Sequence, residues 1–143
     1  MLQLSPYFIA IIAGWLIAQG VKYIIVAVKT RHFDHLRQLY LSGNMPSAHS
    51  TTVAALAMVT GLKDGLESGL FGLTALFAAI VMYDAMMVRR SSGEQGKALQ
   101  QLIKEVKSDI PLPRAAKGHT PLEVLAGAVL GGAIGLVVFL ATR

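Results

Sequence analysis

Long apolar runs divide this sequence, and most of them are nearly as long as a lipid bilayer is thick. Three runs cover residues 6–28, 69–88 and 121–142, and a shorter one begins at Ser47 and ends near Leu62. A helix needs about 20 apolar residues to cross the ~30 Å hydrocarbon core, and in lipid a helix satisfies its own backbone hydrogen bonds. The runs therefore predict an all-α fold, an integral membrane helical bundle with about four transmembrane helices.

Composition argues against a soluble protein. Hydrophobic residues make up 54% of the 143 residues and charged residues only 15%, whereas about a quarter of an ordinary soluble domain is charged. A soluble bundle of this size has too little interior to bury that much apolar surface. Residues 1–143 are predicted to form a single membrane-embedded domain. Because no basic segment precedes the first run, we interpret it as a retained span and not a signal peptide.

Two segments depart from a plain spanning helix. The run that starts at Ser47 has roughly 15 residues, or ~23 Å of helix, so its N-terminus is predicted to lie below the membrane surface. Residues 91–118 are largely polar, but apolar side chains recur on one helical face: Ala98, Leu99, Leu102, Ile103 and Val106. This pattern predicts an amphipathic helix at the membrane interface.

The basic residues predict the orientation. With four spans, the loops after the first and third helices share one side, and they hold most of the lysines and arginines: Lys29, Arg31, Arg37, Arg89, Arg90, Lys97, Lys104, Lys107, Arg114 and Lys117. The opposite side has only Lys63 and Arg143. By the positive-inside rule the basic side is cytoplasmic, which predicts a multi-pass protein of the cell (inner) membrane.

Three polar clusters fall on this basic side, at the starts of the second and fourth helices and at the end of the third. Their members are Ser47, His49, Ser50, Arg89, Arg90, Lys117, His119 and Glu123. Helix N-termini donate hydrogen bonds to anions, and arginine binds phosphate oxygens through a planar fork. The clusters predict a site for a phosphate ester, and the membrane setting makes a lipid its carrier.

Each cluster also has a purely structural interpretation, and the sequence leaves these open. Ser47 can be only the N-cap of the second helix. Thr120 and Glu123 match a capping box, in which the carboxylate serves backbone donors alone. Arg89 and Arg90 can be charges that merely end a span. What favours a site is that all of them fall on one side of the membrane.

Two of the clusters resemble known motifs. Residues 46–49 read Pro-Ser-Ala-His and look like the Pro-Ser-Gly-His motif of the type-2 phosphatidic acid phosphatases and vanadium haloperoxidases. Residues 118–127 read Gly-His-Thr-Pro-Leu-Glu-Val-Leu-Ala-Gly. They resemble the third motif of that superfamily, a histidine followed four residues later by aspartate and then Val-Leu-Ala-Gly. The whole chain is similar to a small divergent branch of the superfamily.

The resemblance implies a metal-independent phosphoryl transfer without a cofactor. His119 would be the nucleophile that forms a phosphohistidine, Glu123 would orient it in place of the usual aspartate, and His49 would protonate the leaving alkoxide. The phosphoryl oxygens would be held by serine and basic side chains, for which the candidates are Ser47, Ser50, Arg89, Arg90, Lys117 and Lys22. Asp84 is counted with them as a residue of the substrate-binding site. The partners implied are a lipid phosphate substrate and membrane lipids, and no nucleic acid is expected.

The chain departs from the superfamily in its first motif, a lysine followed after six residues by Arg-Pro. Lys22 and Lys29 have the right separation, but Thr30 stands where proline should be. Arg90 is therefore the candidate to supply the missing guanidinium. The third motif lacks its usual arginine as well, because Pro113 stands six residues before the histidine.

Two charged residues lie within spanning helices. Lys22 is about one and a half turns from the end of the first helix, and Asp84 is near the end of the third. Because an unpaired charge in lipid is costly, we predict that Lys22 and Asp84 pair across helices. The alternatives are that Lys22 snorkels to the interface, and that Asp84 orients Arg90 or assists a base.

Three glycines, Gly127, Gly131 and Gly135, recur at every fourth position of the last helix. Two overlapping Gly-xxx-Gly units allow close contact between helices, within the chain or between protomers. A homodimer through these glycines is one prediction.

Three functions compete at the level of sequence. The first is a lipid phosphatase or phosphotransferase acting on a phosphatidate-like or polyprenyl phosphate. The second is a non-catalytic membrane protein that binds anionic lipid or a partner through the same basic face. A small transporter subunit is the third, and it has little support because no inverted repeat or broken midplane helix is found.

Overall fold

A computed structural model describes residues 4–30, 45–113, 115 and 117–143, and these residues are mostly helical. The elements in order are α1 (Pro6–Thr30), α2 (Ala48–Asp64), α3 (Gly69–Tyr83), a π turn (Asp84–Val88), α4 (Arg89–Glu105) and α5 (Pro121–Ala141). No strand occurs within those residues. The predicted fold class, a helical membrane bundle, is confirmed. Arg31, Arg37 and Arg114, which entered the prediction of orientation, lie outside the described residues.

The bundle is organised around α2, which packs against α5, α1 and α3. Small residues let the backbones approach closely, as is usual where helices associate in lipid. A Cβ atom added to Gly127 would lie 2.7 Å from the Ser47 carbonyl oxygen, and one added to Gly135 would lie 2.6 Å from that of Ala55. The glycine stripe of α5 is therefore used within the chain. A homodimer would have to use another surface, and dimerisation itself stays a prediction.

Three helical stretches are long and apolar enough to cross a membrane: Pro6–Lys29, Gly69–Glu105 and Pro121–Ala141. The 17 residues of α2 span only about 26 Å, which agrees with the short second helix predicted from the sequence. Because α2 lies at the centre, its neighbours bury or half-bury most of its residues from Ala48 to Gly61. Its polar N-terminus is thereby held within the protein.

The prediction that the third helix ends at the Arg-Arg-Ser-Ser-Gly segment is wrong. The helix instead continues from α3 through the π turn into α4 and ends at Glu105. No proline interrupts it, and the π turn takes up one extra residue without breaking the run of backbone hydrogen bonds. On α4, Ile103 is buried while Leu99 and Leu102 are exposed, so the described part of the chain leaves most of its apolar face uncovered. The segment that returns to α5 is held by a 2.6 Å hydrogen bond from Gln100 Nε2 to the Pro113 carbonyl.

Candidate active site

His119 and Glu123 form the best-defined pair of the site. Nδ1 of His119 lies 3.1 Å from Oε2 of Glu123, and the imidazole is only 4% exposed. When the carboxylate is ionised, Nδ1–H donates to it, and Nε2 keeps its lone pair for an electrophile. The arrangement is that of a nucleophile or base oriented by an acidic partner.

The capping interpretation of Glu123 also holds. The same Oε2 accepts a 3.0 Å hydrogen bond from the Thr120 N–H, and the Thr120 hydroxyl accepts one of 3.3 Å from the Glu123 N–H. This capping box starts α5 with proline at its first turn. Glu123 therefore both fixes the helix start and contacts His119, and the two interpretations do not exclude each other.

The backbone around His119 is fixed by the π turn. The His119 N–H donates a 3.0 Å hydrogen bond to the carbonyl of Ala85. Next to it, Gly118 packs so closely that an added Cβ would lie 2.6 Å from the backbone nitrogen and Cα of Arg90. A π turn changes which carbonyls the helix itself uses, and π turns often occur at functional sites. Sequence reasoning missed both contacts, since no residue type marks a π turn.

The start of α2 is joined directly to the start of α5. The Ser47 N–H donates to the Glu123 carbonyl over 3.2 Å. Ser47 caps α2, accepting from the Ser50 N–H at 3.4 Å and from the Ser50 hydroxyl at 2.9 Å. Both serines are fully buried, so their hydroxyl groups serve the helix start. Their predicted role in binding substrate stays a prediction.

His49 is exposed in the first turn of α2, at the same end of the bundle as His119. The charges of Arg89, Lys22 and Asp84 act on it, as does that of His119 when its imidazole is protonated. The two helix starts and the end of α3 thus meet at one end of the bundle, as the span count predicted. Two imidazoles, two basic side chains (Arg89 and Lys22) and the positive ends of two helices therefore lie at this end of the bundle.

Lys22 is buried, with 5% of its surface exposed. It does not snorkel away from the bundle, because it is covered by protein. Its charge acts on His119, and the carboxylate that attracts it is Glu123. The structure therefore places Lys22 near the His119–Glu123 pair.

The predicted ion pair between Lys22 and Asp84 is wrong. Oδ2 of Asp84 instead lies 2.8 Å from Nε of Arg89. The π turn is the physical reason, because it brings Asp84 and Arg89 onto the same face of the helix. The alternative is that Asp84 orients Arg90, whereas the structure shows Asp84 in contact with the neighbouring arginine, Arg89.

The remaining cations lie further out. Nε of Arg90 lies 3.2 Å from Oε1 of Glu94, one turn along α4, and both side chains are about two-thirds exposed. Lys117 is exposed on the segment that leads to His119. The charge of Arg89 acts on both histidines. Arg89 is therefore better placed than Arg90 to supply the guanidinium that is missing from the first motif.

Burial lowers the pKa of His119, which lies just outside the spanning part of α5, and the charges of Lys22 and Arg89 act in the same direction. The hydrogen bond that His119 donates to Glu123, and the negative charge of that carboxylate, oppose the shift. An imidazole ordinarily titrates near pH ~6.5. His119 is therefore mostly neutral at neutral pH, which is the form with a free lone pair.

Comparisons with known proteins agree with the motifs. A family model described as "Divergent PAP2 family" matches residues 4–134. A similar protein is the "Uncharacterized membrane protein YuiD" of Bacillus subtilis (strain 168), which is 35% identical over 141 residues, covering 88% of this chain and 89% of the relative. No solved structure matches the chain significantly.

Proposed function

Since the chain belongs to the divergent PAP2 family, we propose that it is a membrane lipid phosphatase or phosphotransferase that works through a phosphohistidine. Its substrate is a lipid or polyprenyl phosphate, as a monoester or pyrophosphate. The observation that carries the proposal is the buried His119–Glu123 pair, with a second histidine at the same end of the bundle.

In the first step, the Nε2 lone pair of His119 attacks phosphorus and the bond from phosphorus to the leaving oxygen breaks. Protonated His49 gives its proton to that oxygen, so that a monoester releases an alcohol and not an alkoxide, and a pyrophosphate releases the protonated lipid monophosphate. In the second step, water attacks the phosphohistidine while neutral His49 takes a proton from it. Inorganic phosphate leaves, and both histidines return to their starting state. An alcohol in place of water gives phosphotransfer.

Fixed positive charge lowers the barrier to both steps. Phosphoryl transfer develops charge on the equatorial and leaving oxygens, so positioned cations stabilise the transition state. Arg89 and Lys22 supply this charge from side chains, and the N-termini of α2 and α5 add their dipoles. The distribution of basic residues supports a cytoplasmic position for this end of the bundle.

The proposal is tested by incubating the purified protein with a panel of lipid phosphates, among them a phosphatidate and a polyprenyl pyrophosphate, and measuring released phosphate. We expect release from at least one of them without added metal. Orthovanadate should inhibit, because it mimics the trigonal-bipyramidal phosphorus. The non-catalytic alternative would be favoured by two results together. No lipid phosphate in the panel would release phosphate, and lipid binding would survive replacement of His49 and His119 but not of Arg89 and Arg90.

The pH dependence of turnover gives a separate prediction. Because the pKa of His119 is lowered by burial, the acid limb of kcat/KM should lie below pH ~6.5, with activity falling as the pH falls through it. In Glu123→Gln a neutral amide replaces the carboxylate that raises the pKa of His119. The acid limb of kcat/KM should therefore move to still lower pH. Glutamine can still complete a capping box, which keeps the helix start intact. A limb that moves to higher pH in this variant would contradict the assignment.

A further inference from the structure

The π turn places an acid and an arginine side by side that an α-helix would hold apart. Residues five apart on an α-helix are separated by about 140° around its axis, whereas the i→i+5 hydrogen bond of a π turn brings them together. Here the Arg89 N–H donates to the carbonyl of Asp84, and the two side chains meet at 2.8 Å. The pair is therefore a product of the π turn.

Stability does not explain this pair. Its side chains are 36% and 38% exposed, and ion pairs at such exposure contribute little to folding. The adjacent pair, Arg90 with Glu94, is more exposed and has the ordinary i,i+4 spacing of a helix surface. The two consecutive arginines differ in what they face, since the charge of Arg89 acts on both His119 and His49.

The hydrogen bond to Asp84 uses one particular donor of Arg89. A guanidinium has five N–H donors in a rigid fork, and Asp84 contacts Nε. The two terminal amino groups stay free of Asp84, and together they can bind a phosphate through parallel hydrogen bonds. A partly exposed arginine that is held by its Nε has its rotamer fixed before an anion arrives, and such preorganisation strengthens binding.

We propose that Asp84 is a positioning residue, which fixes Arg89 across the π turn so that its terminal amino groups form the anion clamp of the site. The anion is a phosphate or its analogue, and this choice rests on the proposed function. Asp84 does not contact the ligand, so its influence passes through Arg89. The sign of its effect is distinctive: as a mere negative charge it would repel an anion, but as a positioning residue it strengthens binding.

The test measures orthovanadate binding to the full chain in detergent by titration calorimetry. We expect Asp84→Ala to weaken binding about tenfold or more, the scale of one hydrogen bond to a charged group. Asp84→Asn keeps an acceptor oxygen and should restore part of the affinity. Glu94→Ala, the matched change in the neighbouring pair, should leave binding unchanged. In an Arg89→Ala background, Asp84→Ala should have little further effect, because the two residues act as one unit.

Several results would overturn this inference. It would be wrong if Asp84→Ala bound vanadate as tightly as the wild type or more tightly, or if Glu94→Ala lost as much affinity as Asp84→Ala. It would also be wrong if the losses of affinity in the Asp84 and Arg89 variants simply added, or if the wild-type protein bound no vanadate. The inference can also fail separately from the proposed function. Turnover that is lost in His119→Ala, with KM and vanadate binding untouched in Asp84→Ala, would refute the clamp alone. Binding with the expected dependence, but without phosphate release from any lipid, would refute the enzyme alone.

Discussion

Replacing His119 by alanine should abolish phosphate release, with kcat reduced by roughly 10⁴- to 10⁶-fold, as expected when the nucleophile of a covalent mechanism is removed. The imidazole is buried and held by Glu123, so no neighbouring side chain can take over its position. Wild-type protein, quenched during turnover in alkali, should carry an acid-labile phosphoryl group. His119→Ala should carry none. Turnover is measured as released phosphate, and the trapped intermediate by mass spectrometry of the intact chain.

The matched comparison is His49→Ala, since His49 is the second histidine at this end of the bundle. Loss of a general acid matters least when the leaving group needs no proton. His49→Ala should therefore retain phosphoryl transfer from an activated aryl phosphate, while His119→Ala should not. If the two variants lost activity equally on both kinds of substrate, or if phosphohistidine still formed in His119→Ala, the roles given to these residues would be wrong.

Much of the site could be predicted from the sequence because its parts are local. Helix caps depend on residues three or four apart, and Ser47 and Thr120 cap α2 and α5 as their spacing predicts. Counting spans then places those two helix starts at one end of the bundle. The Ser47 N–H that donates to the Glu123 carbonyl shows that they do meet there.

What the sequence could not show depends on backbone geometry. Whether the helix ends or continues at Arg89 is decided by a π turn that no residue type marks. The sequence therefore predicts Lys22 as the partner of Asp84, whereas the observed partner is Arg89. The same turn supplies the Ala85 carbonyl that fixes the His119 backbone. The glycines of α5 were correctly recognised as contact residues, but only the packing shows that their partner is α2.

The glycine stripe leads to the largest expected effect on folding. A Cβ added to Gly131 would collide with the carbonyl oxygen of Thr51 and would lie 2.8 Å from Cβ of Ala54. Neither atom belongs to a flexible side chain, so α2 and α5 would have to separate. We expect Gly131→Ala to destabilise the bundle by about 3 kcal/mol, at the upper end of the usual cost of overpacking. The midpoint of thermal or denaturant unfolding in detergent would measure this loss.

The neighbouring position offers the matched control. A Cβ added to Gly132 would meet only the terminal methyl of Met58, at 3.4 Å, and a methionine side chain adjusts readily. Alanine is also the better helix former, by up to about 1 kcal/mol, so Gly132→Ala should be neutral or slightly stabilising. The same separation of α2 from α5 would break the contact between Ser47 and Glu123. Gly131→Ala should therefore lose activity as well as stability. Equal stability of the two variants would mean that the stripe is not the contact on which the bundle depends.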